Sequence, residues 1–332
     1  MNRRWLAPLT PLYAAGQALR NRRIESGAEP VRRLAWPVIS IGNLSTGGAG
    51  KTPLTITLAK ALALRGLHVD VLSRGYGRQS KLAVRVDPDG TAEAFGDEPL
   101  LIARETGVPV YVAPHRFDAG LLAEADSSAV SLSNVHLLDD GFQHRQLHRE
   151  VNILLINRHD WQDRLLPVGN LREPLQAARR ATIMAIPFED PEFEAVLRAW
   201  GWQGSIWRLK RIMEVPPVNG PVVAFCGIAR PEQFFVGLEA AGLRLAARLS
   251  FADHRRYTAA DIERLVAAAR EARAAAFLTT EKDRVRLGGL ASDFSESLPL
   301  LTARLRVEIE NEVAAVGWLM NRLKLEPVPP PL

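Results

Sequence analysis

Ile39-Ser40-Ile41-Gly42-Asn43-Leu44-Ser45-Thr46-Gly47-Gly48-Ala49-Gly50-Lys51-Thr52-Pro53 runs an apolar strand into a glycine-rich loop that ends in Gly-Lys-Thr at a helix start. That order is the layout of a P-loop. Successive backbone N–H groups cradle phosphate oxygens, and the positive end of the helix adds to the attraction. Lys51 would reach the β- and γ-phosphates of ATP, and the Thr52 hydroxyl would hold Mg²⁺. One position departs from the usual spacing, which asks for glycine where this chain has Ser45. The alternative is a glycine-rich strand-to-helix turn with no ligand.

The strand–loop–helix unit sits in a chain long enough for two domains, at 332 residues. Its composition, 47% hydrophobic and 24% charged, is that of a globular protein rather than a disordered one. A single cysteine excludes an intramolecular disulfide framework and fits a reducing compartment. The N-terminal stretch is broken by Pro8 and Pro11 and does not resemble a cleavable signal, and no run approaches the ~18 apolar residues of a spanning helix. These features predict a chain on the cytosolic side.

The net charge of +5 is modest, but the N-terminus is lopsided. Arg3, Arg4, Arg20, Arg22, Arg23, Arg32 and Arg33 surround Trp5, Leu9, Leu12, Tyr13, Gly16 and Leu19, which fall near helical spacing. A basic amphipathic helix of this kind lies on an anionic membrane surface, or else packs on the protein's own core with solvated arginines. No recognition module or long basic stripe points to nucleic acid.

Beyond the P-loop, 53–65 reads as a helix and 69–73 as a buried strand. Strands are expected at 108–112, 135–138 and 151–156, with helices at 99–104 and 116–125. Alternating strands and helices predict a mostly parallel sheet covered on both faces, with ligands beyond the carboxyl ends of the strands. A second α/β pattern begins near Pro221, with strands at 222–225, 243–249 and 276–279 and helices at 231–241 and 261–274. The segment 211–220, containing Pro216, Pro217 and Gly220, is the expected boundary. A helix over 311–324 and a proline-rich, frayed tail at 327–332 close the chain.

Polar clusters follow the strand ends. Val135-His136-Leu137-Leu138-Asp139-Asp140 is an apolar strand ending in two acids, the form of a Walker-B strand that delivers a carboxylate to Mg²⁺. Two adjacent carboxylates repel, so a metal or another cation belongs beside them. Gly96-Asp97-Glu98-Pro99 puts two acids at a helix start, where Asp97 either caps the helix or accepts a proton from an attacking hydroxyl. Ser73-Arg74-Gly75-Tyr76-Gly77-Arg78 carries two arginines on a flexible loop, suited to phosphate or carboxylate or simply solvated. In Phe251-Ala252-Asp253-His254, Asp253 is placed to orient His254. Arg172-Glu173-Pro174, Arg230-Pro231 and Thr280-Glu281-Lys282-Asp283 read locally as caps or loops.

Taken in order, these motifs resemble the tetraacyldisaccharide 4′-kinases of lipid A biosynthesis. The resemblance runs over most of the chain. It includes Leu138-Asp139-Asp140-Gly141-Phe142-Gln143-His144, Leu165-Leu166-Pro167, Leu171-Arg172-Glu173-Pro174 and Phe225-Cys226-Gly227-Ile228-Ala229-Arg230-Pro231. It implies a P-loop NTPase-like α/β core with a mostly parallel sheet, spanning 26–215, and a second, smaller α/β domain, 216–332. Residues 1–25 would be a helix associated with the membrane. The activity implied is transfer of the ATP γ-phosphate to the 4′-hydroxyl of an acylated glucosamine disaccharide 1-phosphate, at the cytoplasmic face of the bacterial inner membrane.

By position, the resemblance makes Ser45, Thr46, Gly47, Gly48, Ala49, Gly50, Lys51 and Thr52 the ATP cradle. Thr52, Asp139, Asp140 and Glu173 would be the Mg²⁺ site. Asp97 would be the general base, tuned by His254, and Asn43, Arg74, Tyr76, Arg116, Gln143 and Arg172 would contact the substrate. Many relatives carry a second histidine after the Asp-His pair, where this chain has Arg255. Two other classes stay open on the residues alone: a P-loop ATPase acting as a switch, and a kinase of a soluble small molecule.

Overall fold

The computed structural model describes residues 4–127, 133–294 and 298–326, so the expected frayed tail lies outside the described residues. The strands are β1 (Val38–Asn43), β2 (His68–Ser73), β3 (Val84–Arg85), β4 (Val110–Val112), β5 (Asn134–Asp139) and β6 (Val151–Leu155). They continue as β7 (Ile183–Pro187), β8 (Ser205–Glu214), β9 (Val222–Cys226), β10 (Leu245–Ser250), β11 (Ala276–Thr280) and β12 (Leu300–Ile309). All belong to one sheet in the order β10-β9-β11-β12-β8-β7-β6-β1-β5-β2-β4-β3.

The P-loop strand β1 lies between β5 and β6, parallel to both, and every residue in it is buried. A strand covered on both faces can be apolar throughout, which is why its sequence reads as a run rather than an alternation. Ile39 and Ile41 face the helices Lys51–Ala63 and Asp97–Thr106, while Val38 faces the helix Arg116–Asp126 on the other side. In the second half, Val222 and Ala224 pack on the helix Pro231–Ala240, and Val223 and Phe225 on the helix Ala259–Glu271.

The sheet changes direction once in its interior. Strand β8 begins parallel to β7 over 205–209 and then pairs antiparallel with β12 over 209–214. Strand β12 begins parallel to β11 over 300–303 and ends against β8. Each long strand therefore starts in one half and finishes against the other. Because the strands beside β8 run with it and those beside β12 run with β12, the carboxyl ends of the two halves face one another. The expected boundary at 211–220 begins inside this ribbon: 211–214 are the last residues of β8.

At the N-terminus a 3-10 helix, Arg4–Leu9, leads into the α-helix Thr10–Glu25. Trp5, Leu9, Leu12 and Leu19 are exposed, and Trp5 keeps 78% of its surface open. The helix is tied down by Ile24, which is buried, by the Tyr13 hydroxyl, which donates to the Arg172 carbonyl (2.9 Å), and by Asn21, which accepts from Arg145 (2.8 Å). Among the described residues no helix is long and apolar enough to cross a membrane.

Beneath the sheet's carboxyl edge, β5 carries a fully buried imidazole. His136 Nδ1 lies 2.6 Å from Asp70 Oδ1 on β2, Nε2 lies 3.4 Å from Glu124 Oε1, and Trp36 stacks on the ring. Burial alone would lower its pKa, but the two carboxylates outweigh it and raise it to about 9. A folded-state pKa above the ordinary 6.5 means the stabilisation is complete below about pH 6 and is lost as pH rises through about 9. That loss corresponds to about 3 kcal/mol. Denaturant titrations should show stability declining between about pH 6 and pH 10, with the decline absent in His136→Gln. Equal slopes in the two proteins would remove the charge from this account.

Candidate active site

Gly50 ends the loop as the residue before the helix Lys51–Ala63, at φ +91°, a left-handed backbone in which a side chain would be strained. Gly42, on β1, is required for a different reason: a Cβ there would stand 2.6 Å from the Cβ of Phe142. That close approach holds the loop after β5 against the P-loop strand. Lys51 Nζ donates to Asn43 Oδ1 (3.0 Å) and lies 3.3 Å from Asp140 Oδ1. Asn43 in turn donates to the buried Ser45 hydroxyl (3.1 Å), so the residue standing where glycine was expected helps to fix the partner of Lys51.

The two acids after β5 have different surroundings. Asp139 is buried, accepts from the Thr55 hydroxyl through Oδ1 (3.1 Å), and has no hydrogen-bond partner at Oδ2. Burial, followed by the charges of Glu98 and Asp140, pushes its pKa up to about 7. Asp140 sits in left-handed backbone, φ 47°, and accepts from Arg172 Nη1 at 3.1 and 3.0 Å. Burial would raise its pKa, but Lys51 and Arg172 overcome that and hold it at about 2. The cations expected beside these carboxylates are thus Lys51 and Arg172. Gln143 joins the cluster, accepting from Arg172 (3.2 Å) and donating to the Asn43 carbonyl (2.8 Å).

A cavity of about 840 Å³ opens over this cluster, between the facing carboxyl edges. Thr46 through Thr52, Asp139, Asp140, Gln143 and Arg172 line it from the first half, together with Arg74, Tyr76 and Arg116. Arg116 is 8% exposed, donates through Nη1 to the Pro114 carbonyl (2.9 Å) and has no partner at its buried Nε. Burial first, then the neighbouring Arg74, lowers its pKa to about 10. His254, Arg230 and Lys282 line the cavity from the second half. A second, polar cavity shares Thr46 and Gly47 and continues past Asn157, His159 and Gln233.

Asp97 opens the helix Asp97–Thr106 and is 5% exposed. Its Oδ1 accepts only the next backbone N–H, that of Glu98 (3.0 Å). Oδ2 is 3.2 Å from His254 Nδ1 and accepts from Arg286 Nε (2.7 Å). Burial raises the Asp97 pKa, but the hydrogen bond from His254 and the charge of Arg286 leave it well below the usual carboxylate range. The same hydrogen bond, stronger than the opposing effect of burial, raises that of His254. Asp253 does not orient the ring: it stands 4.0 Å from Nε2 and accepts instead from the His254 backbone N–H (3.0 Å). Arg255 turns away to the Asp261 carboxylate (2.8 Å).

Most of the residues singled out in sequence meet in this cavity. Four stand behind its wall. Asn43 and Ser45 support Lys51, Asp97 lies behind His254, and Glu173 is buried against Arg180 (2.7 Å) with Oε1 unpartnered. Of the two arginines on the glycine loop only Arg74 faces the cavity; Arg78 donates to the Leu82 carbonyl (2.7 Å). Sequence reasoning missed Arg286, left Lys282 in a local cap or loop, and gave Glu98 no role beyond an acid at a helix start. The available signal was the four-residue spacing of Lys282 and Arg286, which puts both on one helix face. His144 also lines the cavity, and burial, then the charge of Arg116, lowers its pKa to about 3, so it is neutral.

Comparison with known proteins agrees with this geometry. Residues 2–324 match the family model described as Tetraacyldisaccharide-1-P 4′-kinase. The tetraacyldisaccharide 4′-kinase of Koribacter versatilis is 41% identical over 95% of this chain and 97% of its own length. That of Aquifex aeolicus is 35% identical over 94% of this chain and 97% of its own. A crystal structure of LpxK from Aquifex aeolicus in complex with ATP superposes with a TM-score of 0.74 at 32% identity, covering 97% of this chain and all of that one. A P-loop, a paired-acid strand and a facing second half, matched over nearly the whole length, establish that this chain belongs to the tetraacyldisaccharide 4′-kinase family.

Proposed function

We propose that this protein transfers the γ-phosphoryl group of ATP to the 4′-hydroxyl of a tetraacyldisaccharide 1-phosphate, giving the 4′-phosphorylated lipid A precursor. The observation that carries the reading is the shared cavity, which sets the P-loop opposite His254 of the other half, with Asp97 of the first half held against the imidazole behind the wall. The loop Ser45–Gly50 with Lys51 and Thr52 holds the triphosphate, and the polar cavity beside Thr46 takes the nucleoside. Residues 26–215 serve as the nucleotide-binding core, and 216–332 as the smaller domain that closes the site.

The residues present fit Mg²⁺. Asp139 Oδ2 is a buried oxygen without a partner, and Thr52 and Asp140 add further hard oxygen donors. Among the described residues no three acidic, histidine or cysteine side chains cluster as a complete metal site, as expected for an ion that keeps waters and phosphate oxygens. Thr52, Asp139 and Asp140 line the cavity and would hold the ion; Glu173, expected with them, is instead buried behind the wall against Arg180. When bound, the ion neutralises charge on the phosphoryl oxygens.

A sugar hydroxyl is a poor nucleophile, so the chain must take its proton as the new P–O bond forms. Asp97 is the general base, acting with His254: the two share one proton, and the pair accepts another only after losing it. Arg74, Arg116 and Arg172 offer charge to the disaccharide's phosphate, with Tyr76, Gln143 and Asn43 beside them. Most of the rate comes from alignment and from cations at the transferred group.

The exposed Trp5, Leu9, Leu12 and Leu19, next to Arg20, Arg22 and Arg23, form the surface that sits on an anionic bilayer. Such a surface brings the cavity to a lipid-anchored hydroxyl at the cytoplasmic face of the inner membrane.

Label from γ-phosphate should appear at the 4′ position of the lipid in detergent micelles; phosphate release indifferent to lipid would overturn the reading. Lys51→Ala should lower turnover by about 10²-fold or more, measured as initial rate. Asp97→Asn should lower kcat by about 10²-fold with ATP affinity retained. Because Asp97 raises the His254 pKa, the acid limb of the wild-type kcat profile should lie above 6.5, and it should move to lower pH in Asp97→Asn. Replacing Trp5 and Leu12 by serine should reduce sedimentation with anionic liposomes. Unchanged sedimentation would remove the membrane helix.

A further inference from the structure

The helix Glu281–Leu287 reaches across from the second half with two cations on one face, and each grips an acid at the start of the helix Asp97–Thr106. Arg286 holds Asp97, and Lys282 holds Glu98. Arg286 is 5% exposed and serves the base. Lys282 differs, since its side chain keeps 27% of its surface and lines the cavity together with Gly47–Thr52 and Asp139.

We propose that Lys282 is a catalytic residue that binds the γ-phosphoryl group, and that Glu98 occupies it until ATP arrives. The inference rests on the ATP-dependent reading above.

The backbone beneath Lys282 is rigid. Thr280 Oγ1 accepts from the Asp283 N–H (3.1 Å), and the buried Asp283 Oδ1 accepts from the Gly227 N–H (3.1 Å), the Tyr257 hydroxyl (3.0 Å) and Arg286 (3.0 Å). A flexible stem ending in a point charge is thus mounted on a fixed base, at the carboxyl end of β11 where the two halves face one another. Arg286, one turn along, sits at Asp97. Lys282 lines the cavity with the P-loop residues and lies close enough to both Asp97 and Asp139 to be acted on by their charges, so it can reach a group held between them.

Charge balance points the same way. Lys51 and Arg172 are paired with Asp140, and Arg286 with Asp97. Glu98, Asp97 and Asp139 all act on Lys282, whose ammonium they stabilise against burial. An incoming triphosphate adds several negative charges to a wall that already carries Glu98, Asp139 and Asp140. Glu98 is 24% exposed, so it can turn outward as phosphoryl oxygens replace it on Lys282. The exchange trades one carboxylate for another anion and leaves no buried charge unpaired.

The test is binding of ATP and of ADP, each with Mg²⁺, by calorimetry to wild type, Lys282→Ala, Lys282→Arg and Glu98→Gln. A γ-phosphate ligand predicts about 10–100-fold weaker ATP binding in Lys282→Ala with ADP binding unchanged, partial recovery in Lys282→Arg, and tighter ATP binding in Glu98→Gln. Retained ADP binding also reports that the variant is folded. Equal losses for ATP and ADP, or no loss of either, would overturn the proposal, as would weaker ATP binding in Glu98→Gln. Wild type that binds neither nucleotide would overturn the ATP reading and the proposal with it. Should Lys282→Ala fail to fold, Lys282→Arg and Glu98→Gln still decide.

Discussion

The antiparallel pairing of β8 with β12 is the constraint on which the site depends. Each half of the molecule is an ordinary parallel α/β layer, whose ligands belong beyond the carboxyl ends of its strands. Joined by a parallel pair, the two halves would present those ends on the same edge, side by side. The antiparallel ribbon reverses one half, so that the two edges face each other across a single cavity. That reversal brings the loops after β10 and β11 opposite those after β1, β2 and β5. It is how His254 comes within 3.2 Å of an acid 157 positions earlier in the chain.

The facing edges carry strong charge of both signs, and the folded protein neutralises it across segments. Asp140 is held by Lys51 and Arg172, Asp97 by Arg286 and His254, and Glu98 by Lys282. None of these pairs lies within one secondary element. For the deeply buried Arg286 and Asp97, removing the arginine would leave the acid with too little compensation, which costs more than the pair itself contributes. Among the residues lining the cavity, Arg116 has an unpartnered Nε and Asp139 an unpartnered Oδ2. Arg116 is otherwise held by the Pro114 carbonyl and Asp139 by the Thr55 hydroxyl.

How much of this was legible follows from what each signal depends on. The strands β1, β2, β5 and β6 are buried on both faces, so short apolar runs revealed them with ends correct to a few residues. The P-loop and the paired acids of β5 are local motifs and were read directly. The ribbon was not. Strand β8, Ser-Ile-Trp-Arg-Leu-Lys-Arg-Ile-Met-Glu, is half-exposed and rich in charge, and the prolines that follow it drew the expected boundary back into its last residues. Local reading gave His254 the wrong partner for a similar reason: Asp253 is adjacent in sequence, but its carboxylate turns to the main chain, and the contact belongs to Asp97, the residue with which the family resemblance had paired it. Local reading could make Asp97 a cap, since it does accept the neighbouring N–H. Arg286 was invisible because its role exists only once the halves face each other.

The N-terminal helix joins the same logic to the proposed acceptor. Its Tyr13 hydroxyl donates to the carbonyl of Arg172, the residue that holds Asp140, and Arg20 from its next turns lines the cavity. The N-terminal segment thus exposes Trp5 on its 3-10 helix and Leu12 on its α-helix, and the α-helix contacts the loop that carries Arg172. A soluble substrate would need no such coupling. A substrate whose acyl chains stay in a bilayer must be met by a site held near the headgroup layer, and on the membrane reading proposed above the Tyr13–Arg172 hydrogen bond ties the helix to the wall that carries Asp140. On that reading the exposed Trp5 and leucines, costly on a surface that only met water, are accounted for.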